Sequence, residues 1–136
     1  YDFIVIPCFF LGGSRMEWHI EYIPEIALLY VKTKGILTNE KANQMVAEIA
    51  LAMKEHQCLC QIVDHRETVF DFRTLDYYER PKVNQQLGMS KQWRVAMIFK
   101  QLSEETLFME TVFRNRGFEF RQFDDLDKAK EWVLKK

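Results

Sequence analysis

The sequence predicts a single α/β domain built on a mainly parallel sheet, and three observations carry this prediction. Apolar runs of strand length alternate with amphipathic helical segments, which is typical of sheets whose strands run parallel. The run Cys58–Asp64 is apolar almost without alternation, as expected for a central strand covered on both faces. A chain of 136 residues has the size of one domain and buries about two-thirds of its unfolded surface.

The first two predicted strands form a hairpin. Residues 18–23 alternate apolar and polar side chains, the period of a strand with one solvated face. Pro24 marks a turn, and residues 26–31 form the second strand, which Gly35 is expected to end. This hairpin places the Trp18 strand antiparallel at the edge of the sheet.

A long helix is predicted to follow the hairpin. Thr38 is a suitable N-cap, and Glu40 in the first turn favours the helix dipole, so the helix runs to about His56. Its apolar side chains form one continuous stripe, which we expect to lie on the sheet: Ala42, Met45, Val46, Ile49, Ala50 and Met53. A helix between two strands makes a β-α-β unit, whose strands should be parallel.

The next helix and strand follow the Cys58 strand. Thr74 to about Leu87 has a helical pattern, and Pro81 inside it predicts a kink or two short helices. Residues 93–99 form the following strand.

The C-terminal third contains a helix, a strand and a helix. Ser103 begins the first of these helices and Gly117 fits the position just after its end. Residues 118–123 alternate as the last strand, and Asp124 or Asp125 caps the final helix. The predicted order is therefore β-β-α-β-α-β-α-β-α, a five-stranded sheet whose N-terminal edge strand is antiparallel.

Residues 1–15 differ from the remainder of the sequence. They run from an apolar stretch into Gly12-Gly13-Ser14-Arg15, directly before Met16, which is typical of a linker ahead of a native start. We predict either an engineered leader or a native N-terminal arm that needs a partner surface. Residues 16–136 are then one domain.

Composition and charge exclude several classes of function. A net charge of −1 offers no general attraction for nucleic acid or for anionic membranes. The short apolar run near the N-terminus contains Pro7 and cannot span a bilayer. Three cysteines without a disulfide framework suit a reducing cytoplasm, and the spacing of Cys58 and Cys60 is not that of a zinc knuckle. We therefore expect no metal and no cofactor.

The candidate site lies just after the central strand. Asp64, His65, Asp71 and Arg73 should gather near its carboxyl end, where parallel α/β sheets generally bind ligands. The structural alternative is that Asp71 caps the next helix, Asp64 pairs with an arginine and His65 is solvated.

Three classes of function compete for this site. The sequence has no nucleophile elbow, P-loop or dinucleotide-binding fingerprint. Asp64 and His65 could form an acid–base pair in a small hydrolytic enzyme, but neighbours on a strand point to opposite faces. A binder of a small apolar or lipid-like ligand would use aromatic rings that otherwise fill the core: Phe70, Phe72, Tyr77, Tyr78 and Phe108. The third class is a protein-interaction module.

The motifs resemble a known family. Trp18 to Tyr22, Phe70-Asp71 followed by Leu75, Phe113 to Gly117, and Phe123 to Trp132 are similar to the STAS domain of bacterial anti-sigma-factor antagonists. They are most similar to its uncharacterised SpoIIAA-like branch, and the resemblance covers residues 16–136. These motifs are mostly structural, so they predict a fold better than a function.

The resemblance implies a non-catalytic, partner-binding or regulatory domain. In the antagonists an Asp-Ser pair at the start of the second helix carries a regulatory phosphoserine, whose charge alters partner binding. The matching pair here is Asp71-Phe72, so that switch is absent at this position, and Thr74 is a weaker alternative site. We predict association as a homodimer or with another protein through the surface from Asp71 to Tyr78, where at most one of Tyr77 and Tyr78 can be buried.

Overall fold

A computed structural model describes residues 3–9 and 15–135. The elements follow in the order β1 (Phe3–Phe9), β2 (Arg15–Ile23), β3 (Leu28–Thr38), α1 (Asn39–Glu55), β4 (Cys60–Asp71), α2 (Thr74–Gln86), β5 (Arg94–Ile98), α3 (Glu104–Asn115), β6 (Glu119–Phe123) and α4 (Leu126–Val133). The strands form one sheet in sequential order, β1-β2-β3-β4-β5-β6. β3 to β6 run parallel to one another. β2 runs antiparallel to both of its neighbours, β1 and β3. The predicted α/β class and parallel core are confirmed.

The N-terminal edge of the sheet differs from the prediction. β1 pairs with β2 from Arg15 to Glu21, so the sheet has six strands and the Trp18 strand is second from the edge. The apolar residues of β1 do not alternate with polar ones, and Pro7 lies within the strand, so no sequence pattern identifies it. The linker prediction for Gly12, Gly13 and Ser14 falls outside the described residues. Whether residues 1–15 are a leader or a native arm stays a prediction.

Two predicted boundaries were wrong because pairing between distant strands overrides local signals. Gly35 does not end β3. It lies inside the strand with φ of 116°, a conformation that glycine adopts without steric cost, and the strand continues to Thr38. β4 likewise runs on past Asp64 to Asp71, because β3 supplies a partner along its entire length.

The helices cover both faces of the sheet. α1, α2 and α3 pack on one face around a large core that includes Trp18, Met53 and Phe113, and α4 packs on the other against Ile62 and Ala96. Caps hold the helix starts: the Thr38 hydroxyl accepts from the Lys41 amide, Ser103 caps α3, and Asp125 caps α4. The predicted stripe on α1 is buried, except that Val46 is half-buried.

Helix α2 is continuous through Pro81, so the predicted alternative of two short helices was wrong. Proline removes one helical hydrogen bond, but tertiary contacts hold this helix in place. The buried Arg80 guanidinium ties α2 to α1, donating to Asn39 Oδ1 (2.9 Å) and Asn43 Oδ1 (2.7 Å), and also reaches Asn84 Oδ1 (2.5 Å). Burial lowers the pKa of Arg80 to about 10, so the side chain remains a cation at neutral pH.

We expect Ile49→Ala to lower the free energy of unfolding by about 2–4 kcal/mol, because the substitution removes buried methyl groups and leaves a cavity. Leu51→Ala is the matched control, since Leu51 lies on the same helix with 69% of its surface exposed. It should change stability by less than about 0.5 kcal/mol. Urea denaturation followed by circular dichroism measures both, and equal midpoints for the two variants would contradict this packing.

Candidate functional site

The candidate site is a cleft at the carboxyl ends of the parallel strands. β5 pairs with β4 only as far as Asp64, whereas β3 pairs with β4 as far as Asp71. The second half of β4 therefore extends beyond β5 and leaves a space beside it. That space is a cleft of about 770 Å³, whose opposite wall is the loop between β5 and α3 together with the first turn of α3. We call it the β4 cleft. Its lining residues are His65, Arg66, Glu67, Thr68, Val69, Phe70, Phe72, Thr74, Tyr77, Phe99, Lys100, Gln101, Ser103, Glu105 and Thr106.

An extra residue in β4 determines which side chains face the cleft. Lys32 pairs with Asp64 and Lys34 with Glu67, so two residues of β4, His65 and Arg66, lie opposite the single residue Thr33 of β3. Such a bulge reverses the alternation of the strand beyond it.

The reversal places Phe70 on the inner face with His65 and leaves Val69 with 65% of its surface exposed. Without the bulge, Val69 would share the inner face with His65 and Phe70 would point outwards. The bulge therefore brings Phe70 into the aromatic lining of the cleft.

His65 is buried at the base of the β4 cleft, with 1% of its surface exposed, which corrects the expectation of a solvated histidine. Its ring makes an edge contact with Phe70 (centroids 4.9 Å apart) and lies 5.6 Å from the Phe99 ring. Burial lowers the pKa of His65 to about 3, which outweighs the opposite effect of the nearby Asp64 charge. The imidazole is thus neutral at physiological pH.

The Thr33 hydroxyl holds the His65 ring in place. Thr33 Oγ1 lies 2.7 Å from Nδ1 of His65, 2.5 Å from the Thr68 hydroxyl and 3.1 Å from the Asp64 carbonyl oxygen, which can only accept. Nε2 of His65 is buried and has no hydrogen-bond partner among the described residues.

Asp64 lies on the opposite face of the sheet from His65. Its carboxylate accepts from Tyr30 Oη (2.5 Å) and from Nε (3.0 Å) and Nη2 (2.8 Å) of Arg66. Burial favours a raised pKa for Asp64, but these hydrogen bonds outweigh it and lower the pKa to about 2. Burial, together with the bond to Asp64, raises the pKa of Tyr30 to about 12. Asp64 therefore pairs with an arginine, and the acid–base pair with His65 does not converge on one centre.

The other predicted site residues divide into two groups. Phe72, Thr74 and Tyr77 line the cleft, and the Phe72 ring lies 5.1 Å from the rings of both Phe70 and Tyr77. Asp71, Arg73 and Tyr78 are exposed outside it.

The predicted cap at Asp71 was wrong, because α2 begins three residues later. Arg73 occupies the N-cap position, and its backbone amide donates to Asp76 Oδ2 at 2.8 Å. Tyr77 is buried and Tyr78 is 53% exposed, in agreement with the expectation that only one of them could be buried. Phe108 also lies outside the cleft lining.

Sequence reasoning missed Thr33 and Phe99. Thr33 carried a usable signal, because it is a polar residue at an inward position between Val31 and Leu37. No group of three or more metal-binding side chains exists among the described residues, and none of their helices is long and apolar enough to cross a bilayer.

Comparison with known proteins agrees with this architecture. The chain is similar to a solved structure from Shewanella loihica PV-4, an uncharacterized protein of the DUF3478 family with a SpoIIAA-like fold. The two share 20% sequence identity, and the alignment covers 96% of this chain and 93% of the other, with a TM-score of 0.52. This chain has a SpoIIAA-like fold. No protein-family model matches its sequence, and no curated protein matches it significantly.

The SpoIIAA-like fold confirms the structural part of the predicted resemblance. Phe72, which the resemblance matches to the phosphoserine of the antagonists, is half-buried against Phe70 and Tyr77. The side chain therefore completes the aromatic lining of the β4 cleft.

The depressed pKa of His65 predicts acid sensitivity. The unfolded chain takes up a proton at a histidine below about pH 6.5. The folded protein does not take it up at His65 until about pH 3. This contribution to the free energy of unfolding is complete above pH 6.5 and falls by up to about 1.4 kcal/mol per pH unit as the pH drops from there. We expect His65→Phe to show a shallower loss between pH 6.5 and 4.5 in urea denaturation. Equal slopes for wild type and variant would show that His65 titrates normally in the folded protein.

Proposed function

We propose that this domain is a non-catalytic binding module whose ligand occupies the β4 cleft. The observation that carries the proposal is the cleft itself, because its volume of about 770 Å³ lies within the range of small-molecule sites. Its position at the carboxyl ends of parallel strands is the usual one for ligands of α/β sheets. The volume and position of the cleft favour binding of a small, partly apolar ligand over the protein-interaction function that the family resemblance implied.

The lining supports a ligand with an apolar body and polar edges. Four aromatic side chains, those of Phe70, Phe72, Tyr77 and Phe99, provide flat apolar surface. Two polar residues, Thr68 and Thr74, also line the cleft. An acid–base reaction has no support in this arrangement, since Asp64 is held by Arg66 on the other face.

The thiols support a reducing, cytoplasmic location for this binding function. Cys58 and Cys60 are both free, and each donates its S–H to a backbone carbonyl. Burial raises the pKa of both thiols, which keeps them protonated and unreactive.

Filling the cleft tests the proposal. Gln101 lines the cleft from an exposed loop, so Gln101→Trp should occupy it without disturbing the core. We expect the affinity for the neutral dye Nile red, measured by fluorescence titration, to fall at least about tenfold, which corresponds to about 1.4 kcal/mol. Gln92→Trp is the matched control, an exposed loop position outside the cleft, and it should bind like wild type. Equal affinities for all three proteins would exclude the cleft as the binding site. Native mass spectrometry of wild type purified from cells should also show a bound small molecule that Gln101→Trp lacks.

A second candidate is self-association through the surface next to the cleft. Three apolar side chains there are largely exposed, Val69 (65%), Leu75 (56%) and Tyr78 (53%). Neighbouring Asp71 and Arg73 are exposed and of opposite sign, which suits pairing of this surface with itself about a two-fold axis. Exposed tyrosines of this kind commonly anchor interfaces.

We expect Tyr78→Glu to convert such a dimer to monomer, because the new carboxylates would lie in the interface of both subunits. Leu51→Glu places the same charge on the solvent-exposed face of α1 and should leave the mass of the protein unchanged. Light scattering across a concentration series measures the mass, with folding checked by circular dichroism. A folded Tyr78→Glu protein with the wild-type mass would remove this surface from consideration.

A further inference from the structure

Four charged side chains line the β4 cleft, and two of them are paired with residues outside it. Nη2 of Arg66 lies 2.8 Å from Oδ2 of Asp64, and Oε2 of Glu67 lies 3.2 Å from Nζ of Lys32. Glu105 is on the facing wall, where it is exposed in the first turn of α3. Its carboxylate has no hydrogen bond or ion pair with any residue that the structure describes. The cleft therefore contains a negative charge that the described part of the chain leaves without a partner.

Three rings of the lining form a corner, which we call the aromatic corner. The rings of Phe70 and Tyr77 are parallel to within 3°, with their centroids 6.4 Å apart. The Phe72 ring is inclined by 56° to the first and by 53° to the second, with its centroid 5.1 Å from each. Phe70 and Phe72 are half-buried, so a ligand in the cleft can contact both. Because the face of an aromatic ring is negative, ring planes that meet at an angle suit a cation with an apolar body.

The charge of Glu105 acts on the aromatic corner. Burial raises the pKa of the Tyr77 hydroxyl, and the negative charges of Glu105 and Asp76 raise it further. Asp76 already has a partner, since its carboxylate accepts from the Arg73 amide at 2.8 Å. Lys100, an exposed residue of the facing loop, does not contribute to the shift. The charges that reach Tyr77 are therefore negative, and Glu105 is the one that a ligand can neutralise.

We propose that the β4 cleft selects a small organic cation, a molecule with an apolar body whose ammonium group lies between the aromatic corner and Glu105. This selectivity rests on the proposed binding function and names the class of its ligand. An ammonium group in this place forms an ion pair and a cation–π contact together, and each stabilises binding modestly where solvent has access. The two contacts favour a cation over a neutral molecule of the same shape.

An anion is the competing ligand, because α2 and α3 both begin beside the cleft and the start of a helix carries a partial positive charge. Side chains already occupy amide groups of both helix starts. Oδ2 of Asp76 accepts from the Arg73 amide at 2.8 Å, and Oγ of Ser103 accepts from the Thr106 amide at 3.2 Å. Acidic side chains also lie in both first turns, Asp76 in α2 and Glu105 in α3. The chain itself thus compensates the positive ends of the helices, and an anion gains little there.

A matched series of probes tests this selectivity at neutral pH. The compounds 2-naphthylmethanol, 2-naphthylmethylammonium and 2-naphthylacetate share one aromatic body and carry a neutral, a positive and a negative group. We expect wild type to bind the ammonium about three- to thirtyfold more tightly than the alcohol, and the acetate more weakly than the alcohol. High salt should reduce the preference for the cation, because it screens the exposed Glu105 carboxylate. Isothermal titration calorimetry measures these affinities.

The substitution Glu105→Gln removes the charge and keeps the shape of the side chain. It should weaken binding of the ammonium about two- to fivefold and leave the affinity for the alcohol within about twofold of wild type. Glu104→Gln is the matched control, since Glu104 is exposed in the same helical turn but does not line the cleft. It should keep the wild-type preference. Both positions are exposed, so both variants should fold, which circular dichroism checks.

Titration of Tyr77 provides a readout that needs no ligand. The carbon-13 resonance of the ring carbon that bears the hydroxyl reports the ionisation of this side chain. Glu105→Gln should lower the pKa of Tyr77, because removal of a nearby negative charge favours the phenolate. Glu104→Gln should leave the pKa closer to that of wild type.

The outcomes distinguish the selectivity from the binding function. Equal affinities of wild type for the three probes, or tighter binding of the acetate, overturn the selection of a cation and leave the binding function standing. An ammonium affinity that Glu105→Gln does not change, or that Glu104→Gln lowers equally, overturns it as well. So does a pKa of Tyr77 that is the same in wild type and Glu105→Gln. Failure of all three probes to bind, or binding that Gln101→Trp leaves unchanged, overturns both proposals.

Discussion

The hydroxyl group of Thr33 is the point on which the arrangement of the site depends. It joins the Asp64 carbonyl, the His65 ring and the Thr68 hydroxyl, and so ties both sides of the bulge in β4 to one residue of β3. The bulge changes which residues of β4 face inwards, and the two faces of the sheet then carry different chemistry. A neutral histidine lies on one face, and the Asp64–Arg66 ion pair lies on the other. A methyl group in place of this hydroxyl would leave three polar groups without their shared partner.

The other supports of the cleft are polar contacts that compensate for burial. Arg80 has three asparagine oxygens around its guanidinium, which replace part of its hydration and hold α2 against α1. Because Tyr77 is carried by the same helix, the position of an aromatic wall of the cleft depends on this buried cation. On the opposite wall the α3 cap, Ser103 with Thr106, fixes the end of the loop from β5. The cleft thus lies between the N-terminal ends of α2 and α3.

Local signals were sufficient to predict most of the fold. The caps at Thr38 and Ser103 and the stripe on α1 depend on residues that are close together in the sequence. Each was predicted correctly from them. Features that depend on pairing between distant strands were not predictable in this way. The bulge opposite Thr33, the extension of β4 to Asp71 and the continuation of β3 through Gly35 are examples.

The same distinction applies to the site. Asp64 and His65 were singled out by position, at the end of an apolar run. Their environments come from Tyr30 and Thr33, more than thirty residues earlier, so no local pattern indicates that one is ionised and the other neutral. Phe72 was predicted either to lie on a partner-binding surface or to line an aromatic cavity, and its ring contacts those of Phe70 and Tyr77.

The two walls of the cleft differ in mechanical character, which has a consequence for how fast a ligand enters and leaves. The β4 wall is part of a continuous ladder with β3, and its amides should exchange slowly with solvent. The facing wall from Lys100 to Leu102 belongs to no helix or strand. Displacement of that loop requires no sheet hydrogen bond to break, so we expect it to control entry. Residence time in this protein would then be set by the length and stiffness of a three-residue segment, and affinity by the strand opposite, so that evolution or design can adjust the two separately.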